Sequence, residues 1–284
     1  MIPSRFEYFC PATLPEAIGL LKKYQDDAKI VAGGQSLISM LKLRLASPKC
    51  LVDLGRIGGL SYIREEADGK IAIGAMTSYA QILESKLLKE KCPLLGQTAR
   101  VIGDVQIRNR GTIGGSLTHA DPAGDLPAAI LALNGDLKAV GPKGERWLKA
   151  ENFFLGLYAT ELAADEILTE VRVPTLAGRK TAYLKAARRP SDFAMVGVAV
   201  CWKPGKDGAC EEIALGITGV TDKPFRATNV EAALKGKKLE PKTLEAAAAG
   251  VAEGLDVNGN IHASAEFRAH LARVYVSRAI QAAN

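Results

Sequence analysis

The chain has 284 residues, 48% of them apolar and 24% charged, and a formal net charge of +6. It is long enough to bury more than one core, and nothing in its composition suggests disorder. No apolar run approaches a membrane span, and the N-terminal MIPSRFEYFCPATLPEA lacks the basic start and apolar stretch of a secretory signal, so a cytoplasmic location is expected.

In chain order, the first region reads as a helix over Leu14 to Tyr24, with Pro15 in its opening turn, followed by a strand over Ala28 to Val31. The glycine turn Ala32-Gly33-Gly34-Gln35-Ser36-Leu37 comes next. Glycines directly after a strand let the backbone turn with positive φ and let an anionic group approach main-chain N–H donors. Ser36 opens the amphipathic stretch SLISMLKLRL, whose leading amides carry the positive end of a helix dipole. The strand Cys50 to Leu54 closes the region near residue 57. Asp53 lies where a Rossmann fold places a ribose-binding acid, but Gly33-Gly34-Gln35-Ser36 has neither GxGxxG nor Walker spacing. Asp53 is therefore read as a strand-end or turn residue.

The second region, to about residue 176, opens with a hairpin over SYIREEADGKIAIGAM, where Asp68-Gly69 marks the turn. Helical stretches follow around Ser78 to Leu88 and Leu94 to Val101, with Thr77 and Ser78 reading as helix-capping residues. A second glycine-rich segment, RNRGTIGGSLTHADPAGDLP, then gathers Gly111, Gly114 and Gly115 with Thr112, Ser116, Thr118, Asp121 and Asp125. A simple turn needs far less. The mixture supplies backbone donors and side-chain hydrogen bonds, and the two segments read as two jaws of one diphosphate site. Strands are expected near Leu137 to Val140 and Ile167 to Val173.

Pro174 and TLAGRK mark the next boundary. Strands over Thr181 to Ala187, Ala194 to Trp202 and Glu212 to Val220 follow, with KPGKDG as a turn. Helices over Pro241 to Leu255 and Ser264 to Ala283 complete an α+β unit. Lys and Arg are interleaved with acids throughout, as at Arg64, Glu65, Glu66, Asp68 and Lys70, which speaks against a nucleic-acid partner. Cys10, Cys50, Cys92, Cys201 and Cys210 lack CxxC pairing or any zinc or iron–sulfur spacing, and are expected to be reduced and structural.

VAGGQSL, IGAMTSYAQIL, IRNRGTIGGSLTHADPAGDLPAAILAL, DEILTEVRVP and YLKAARRPSDFAMVGVAV, in that order, resemble the FAD-binding medium subunit of the molybdenum hydroxylases, over essentially the whole chain. The resemblance implies an α+β fold: a two-subdomain FAD-binding domain of the PCMH/vanillyl-alcohol-oxidase type (1–57 and 58–176), then a smaller α+β C-terminal domain (177–284). It implies non-covalent FAD on this chain. The molybdenum cofactor and [2Fe-2S] clusters would lie on partners, a molybdenum-binding large subunit and an iron–sulfur small subunit, in a dimer of heterotrimers. Substrate (carbon monoxide, aldehyde, purine or N-heterocycle) and acceptor (NAD, oxygen or quinone) stay open.

By the same resemblance, Ala32, Gly33, Gly34, Gln35, Ser36 and Leu37 would wrap the FAD diphosphate. Thr112, Gly114, Gly115, Ser116 and Thr118 would complete the diphosphate or ribityl contacts. Ile102 and Gly103 would lie close to the cofactor, and Leu168 near the adenine or flavin rings. Asp125 would bind toward the adenosine ribose, its competing role being N-cap of LPAAILAL. Lys185 would approach the pyrimidine end of the flavin ring and stabilise its reduced form, or would simply be solvated. Phe193 matches a position where an aromatic can stack on the flavin, and His119 is read as a hydrogen-bonding residue that does not bond FAD covalently. The competing class is a self-sufficient FAD-dependent reductase resembling the UDP-N-acetylenolpyruvoylglucosamine reductases. Such an enzyme needs its own proton donor over the flavin, and no convincing Ser or Glu stands out.

Overall fold

A computed structural model describes residues 2–284. The first region holds β1 (Glu7–Phe9), α1 (Leu14–Tyr24), β2 (Ala28–Val31), α2 (Leu37–Leu43) and β3 (Cys50–Asp53). Both outer strands run parallel to β3, in the order β1-β3-β2. Thr13 caps α1 through Glu16 N–H, Pro15 sits in the first turn, and Ala17, Ile18 and Leu21 face a core shared with Cys50, Val52 and Leu54. Asp53 ends β3, where its carboxylate accepts from Gly55 N–H at 2.8 Å and from the Tyr8 hydroxyl at 2.6 Å.

The second region contains β4 (Ile63–Glu65), β5 (Lys70–Gly74), α3 (Tyr79–Glu84), α4 (Lys86–Lys91), α5 (Pro93–Arg100), α6 (Val105–Arg110), α7 (Ile113–His119) and α8 (Asp125–Ala132). It continues with β6 (Asp136–Gly141), β7 (Gly144–Lys149), α9 (Ala150–Phe153), β8 (Phe154–Gly156), β9 (Ala159–Thr160) and β10 (Ile167–Pro174). Its antiparallel sheet is ordered β4-β5-β10-β6-β7. The expected hairpin forms β4 and β5, with Gly69 at φ 77°. The helix expected over Ser78 to Leu88 is two helices. Ser85 leaves the helical region (φ −61°, ψ 115°), and its side chain caps α4 at Leu88 N–H. Ser78 caps α3 in a reciprocal box with Gln81, while Thr77 is buried and bonded to Tyr62.

The C-terminal region holds β11 (Lys180–Ala186), β12 (Val196–Pro204), β13 (Cys210–Thr218), β14 (Phe225–Arg226), α10 (Thr228–Leu234), α11 (Pro241–Ala248) and α12 (Ala265–Ala283). Its sheet runs β11-β12-β13-β14, adding a short fourth strand and one helix to the sequence expectation. Val198, Val200, Leu215 and Ile217 on the sheet pack against Ala272, Val276 and Ile280 of α12.

Helix α8 joins the second and third regions. Every residue from Asp125 to Ala132 is buried, which suits a segment apolar around its whole circumference. It lies so close to β13 that a Cβ on Gly216 would overlap the carbonyl oxygen of Ala128. The loop feeding α8 is held from the C-terminal region as well. The Thr218 hydroxyl is within 2.6 Å of the Pro122 carbonyl and 2.8 Å of that of Gly124, and Gly219 N–H donates to Pro122 at 2.6 Å.

This backbone contact makes a simple stability test. Gly216→Ala is expected to lower unfolding free energy by about 1–3 kcal/mol, because α8 must retreat from β13. Gly19→Ala, inside α1 with nothing near the new methyl group, should raise it by about 0.5–1 kcal/mol. Denaturant titration of both variants measures the difference, and equal effects would sink the account of the α8 seat.

Candidate cofactor cleft

A cavity of about 720 Å³ opens between the first and second regions and reaches the C-terminal sheet. That size suits a ligand larger than a simple metabolite. All of the expected residues line it: Ala32 to Leu37, Ile102, Gly103, Thr112, Gly114, Gly115, Ser116, Thr118, Asp125, Leu168 and Lys185.

The jaws meet through their backbones. A Cβ on Gly33 would overlap the carbonyl oxygen of Arg110 and sit 2.8 Å from Gly111 Cα, so only glycine permits this approach. Gly34 adopts φ 74°, and the chain enters α2 at Leu37 after Ser36, whose side chain makes no cap bond. Among the described residues, the N–H groups of Gly33, Gly34, Gln35 and Ser36 have no acceptor. Successive backbone donors on the wall of a cleft form a nest for an anion. Helix α2 is shorter than the amphipathic stretch suggests. It ends at Leu43 because Arg44 turns left-handed at φ 58°.

The second jaw differs from its sequence reading. It folds as two short helices where glycine content argues against helix. Asp104 caps α6 through Ile107 N–H at 2.8 Å, and Thr112 caps α7 through Gly115 N–H at 3.1 Å. The amides of Ile113 and Gly114 donate to Thr77 and Ala75 carbonyls, and that of Ser116 to Thr112. These three donors are therefore consumed within the fold, whereas the first jaw presents four successive amides without an acceptor. Arg108 Nη1 donates to the carbonyls of Ile102 (3.0 Å) and Gly103 (3.1 Å), pinning that turn against the cleft.

Asp125 does not act as the helix cap that its position invites. Gly124 is the N-cap of α8, and no side chain caps that end. The Asp125 carboxylate instead accepts from the Tyr183 hydroxyl at 2.6 Å and from Lys185 Nζ at 2.9 Å. Burial pushes its carboxyl above the usual range, while Lys185 and Tyr183 pull it back. Lys185 is not a solvated surface residue, since its side chain is 5% exposed. Asp125 and Lys185, expected at opposite ends of the cofactor, form one ion pair and so face the same portion of the cleft.

Other lining residues gave no signal in the sequence reading. Tyr158, in the β8–β9 turn, takes φ 54° and stacks on His119 at 4.9 Å between centroids. Burial pushes the His119 imidazole below its usual value, against the opposing pull of the Asp121 carboxylate. Met40 and Met76 add apolar wall, while Phe193, which the family resemblance singles out, is 64% exposed and stands at the cleft with Ser191 and Asp192. The local GLYAT turn carries no pattern that points to a cofactor.

Residues 4–176 match the family described as the FAD binding domain in molybdopterin dehydrogenase, and residues 181–283 match the CO dehydrogenase flavoprotein C-terminal domain. The chain is 39% identical over 281 residues to the glyceraldehyde dehydrogenase medium chain of Sulfolobus acidocaldarius, covering 99% of each protein. It is 38% identical to the carbon monoxide dehydrogenase medium chain of Hydrogenophaga pseudoflava, over 100% of this chain and 98% of that one. Among solved structures, a chain of carbon monoxide dehydrogenase from Hydrogenophaga pseudoflava superposes with a TM-score of 0.97 at 40% identity, covering 100% of this chain and 98% of that one. A chain of quinoline 2-oxidoreductase from Pseudomonas putida 86 gives 0.94 at 33% identity, with coverage of 100% and 98%. The self-sufficient reductase alternative finds no support in these matches, because the C-terminal region belongs with the dehydrogenase flavoproteins. Matched from end to end in sequence and structure, the chain belongs to the FAD-binding medium chains of the molybdopterin dehydrogenases.

Proposed function

We propose that this chain holds FAD non-covalently between its glycine jaws and serves as the electron-transfer subunit of a cytoplasmic molybdenum hydroxylase. One observation carries the reading: glycine backbone meets backbone at Gly33 and Arg110, beside four amides without an acceptor, on the wall of a cleft of FAD's scale. The residues present fit the cofactor. The Gly33–Ser36 amides would take the diphosphate, with Ser116 and Thr118 adding polar edges. Ile102, Leu168 and Met40 supply apolar wall for rings, and Phe193 offers a ring face at the open end.

Bound FAD would supply the chemistry, one-electron uptake followed by two-electron release. Lys185 would stand at the pyrimidine end of the flavin, where its cation favours added negative charge. Asp125, paired with Lys185, would serve that same end.

The partners are proposed from the likeness to medium chains of multisubunit dehydrogenases. Among the described residues, no group of three or more His, Cys, Asp or Glu side chains could bind a metal ion, and no helix is long and apolar enough to cross a membrane. Iron–sulfur clusters and the molybdenum cofactor are assigned to a small and a large subunit, with the whole assembled as a dimer of heterotrimers. Residues 1–57 and 58–176 are the two FAD-binding subdomains and 177–284 the C-terminal domain, in keeping with the three larger sheets and three buried clusters.

The visible spectrum of the purified chain, followed by acid release and chromatography, should reveal free FAD; a folded chain that refuses added FAD would overturn the proposal. Gly33→Ala forces the jaws apart and should weaken FAD binding at least about tenfold, roughly 1.4 kcal/mol, in a chain that keeps its far-ultraviolet spectrum. Tagged chain expressed with its neighbouring genes should recover an iron–sulfur and a molybdenum subunit. Full substrate turnover by the isolated chain would defeat the subunit reading.

A further inference from the structure

We propose that Asp125 and Tyr183 are positioning residues that set how much of the Lys185 positive charge a cofactor in the cleft experiences. The inference rests on the FAD reading above. It starts from strand alternation: Tyr183 and Lys185 lie two residues apart on β11, so both side chains leave the same face, toward the start of α8. There Asp125 receives both, Oδ1 from the Tyr183 hydroxyl and Oδ2 from Lys185 Nζ.

The three groups form a built site and not an incidental contact. Asp125 and Tyr183 are each 6% exposed, and the Lys185 side chain is 5% exposed. The space for the Tyr183 hydroxyl exists because residue 197, opposite Lys185 on β12, is glycine. A Cβ there would overlap that hydroxyl oxygen and lie 2.7 Å from Thr218 Cγ2. Thr218 also holds the loop that carries Asp125, through the Pro122 and Gly124 carbonyls. Aspartate, tyrosine and lysine are thus fixed from two regions at once.

The donor count shows what the arrangement does. An ammonium has three donors. Lys185 uses one on Asp125 and one on the Val101 carbonyl at 3.2 Å, leaving the third for the cleft that it lines. Away from water, a carboxylate this close cancels part of the ammonium's field at a neighbouring group. The Tyr183 hydroxyl draws carboxylate charge toward itself and so weakens that cancellation. Asp125 therefore tempers Lys185, and Tyr183 tempers Asp125.

The signs of the effects test the idea. The full chain loaded with FAD is titrated for the flavin midpoint potential, and FAD affinity is measured alongside by fluorescence. Lys185→Met removes the cation and should move the potential to more negative values. Asp125→Asn keeps the shape and an acceptor for Tyr183 but frees the cation, and should move it to more positive values. Tyr183→Phe concentrates charge on Asp125 and should give a negative shift smaller than that of Lys185→Met. A purely structural role predicts shifts of one sign accompanied by weakened FAD binding, and that pattern, or unshifted potentials with FAD retained, overturns the inference. Should Asp125→Asn fail to fold, Tyr183→Phe decides: a negative shift with affinity within about threefold of the parent supports it, and an unchanged potential overturns it. A parent chain that binds no FAD overturns the cofactor reading and this inference with it; a parent that binds FAD while the variants fail to split in sign overturns this inference alone.

Discussion

The cleft depends on the approach of two main chains at Gly33 and Arg110. Side-chain contacts can rearrange, but a carbonyl oxygen packed where a Cβ would stand fixes the separation of two regions with little give. From that point the jaws diverge, the first carrying free amides and the second carrying capped helices, with the leading amides of α7 used internally. Division of labour between the jaws follows. The first is a donor surface, and the second is a rigid abutment that holds it in place.

A second backbone approach, at Gly216 and Ala128, performs the same service for the other end of the site. It seats α8 on the C-terminal sheet and so brings β11 to the cleft. Without it, Asp125 and Lys185 would belong to separate bodies. The ion pair between them is buried, and a buried pair gains little stability over apolar packing of similar volume. Its presence at the cleft is better understood through the field it creates there.

Much of this was legible in sequence, for identifiable reasons. Strand periodicity and turn chemistry located β5 and β10 to β13, three- and four-residue apolar spacing located α12, and the Asp68-Gly69 hairpin formed where its turn residues demanded. The two glycine segments announced a shared site because their composition exceeded what a turn requires. Less legible was α7, since glycines at 114 and 115 argue locally against helix and only tertiary packing overrides them. Asp125 looked like a cap because it precedes an apolar helix, yet its carboxylate points to partners nearly sixty residues away in sequence. Tyr158 gave no warning at all, since its left-handed backbone is imposed by the short β8–β9 connection.

The burial of α8 on all sides also has a consequence for biosynthesis. A ribosome releases this chain from the N-terminus, and both jaws are complete once residue 125 has emerged. Helix α8, however, has no apolar partner on its far side until β12 and β13 have been made, up to Thr218. During that interval the nascent chain exposes an almost wholly hydrophobic helix beside an unfinished cleft. Helix α8 therefore gains its last apolar partner, and the cleft its C-terminal wall, only when translation is about three-quarters done.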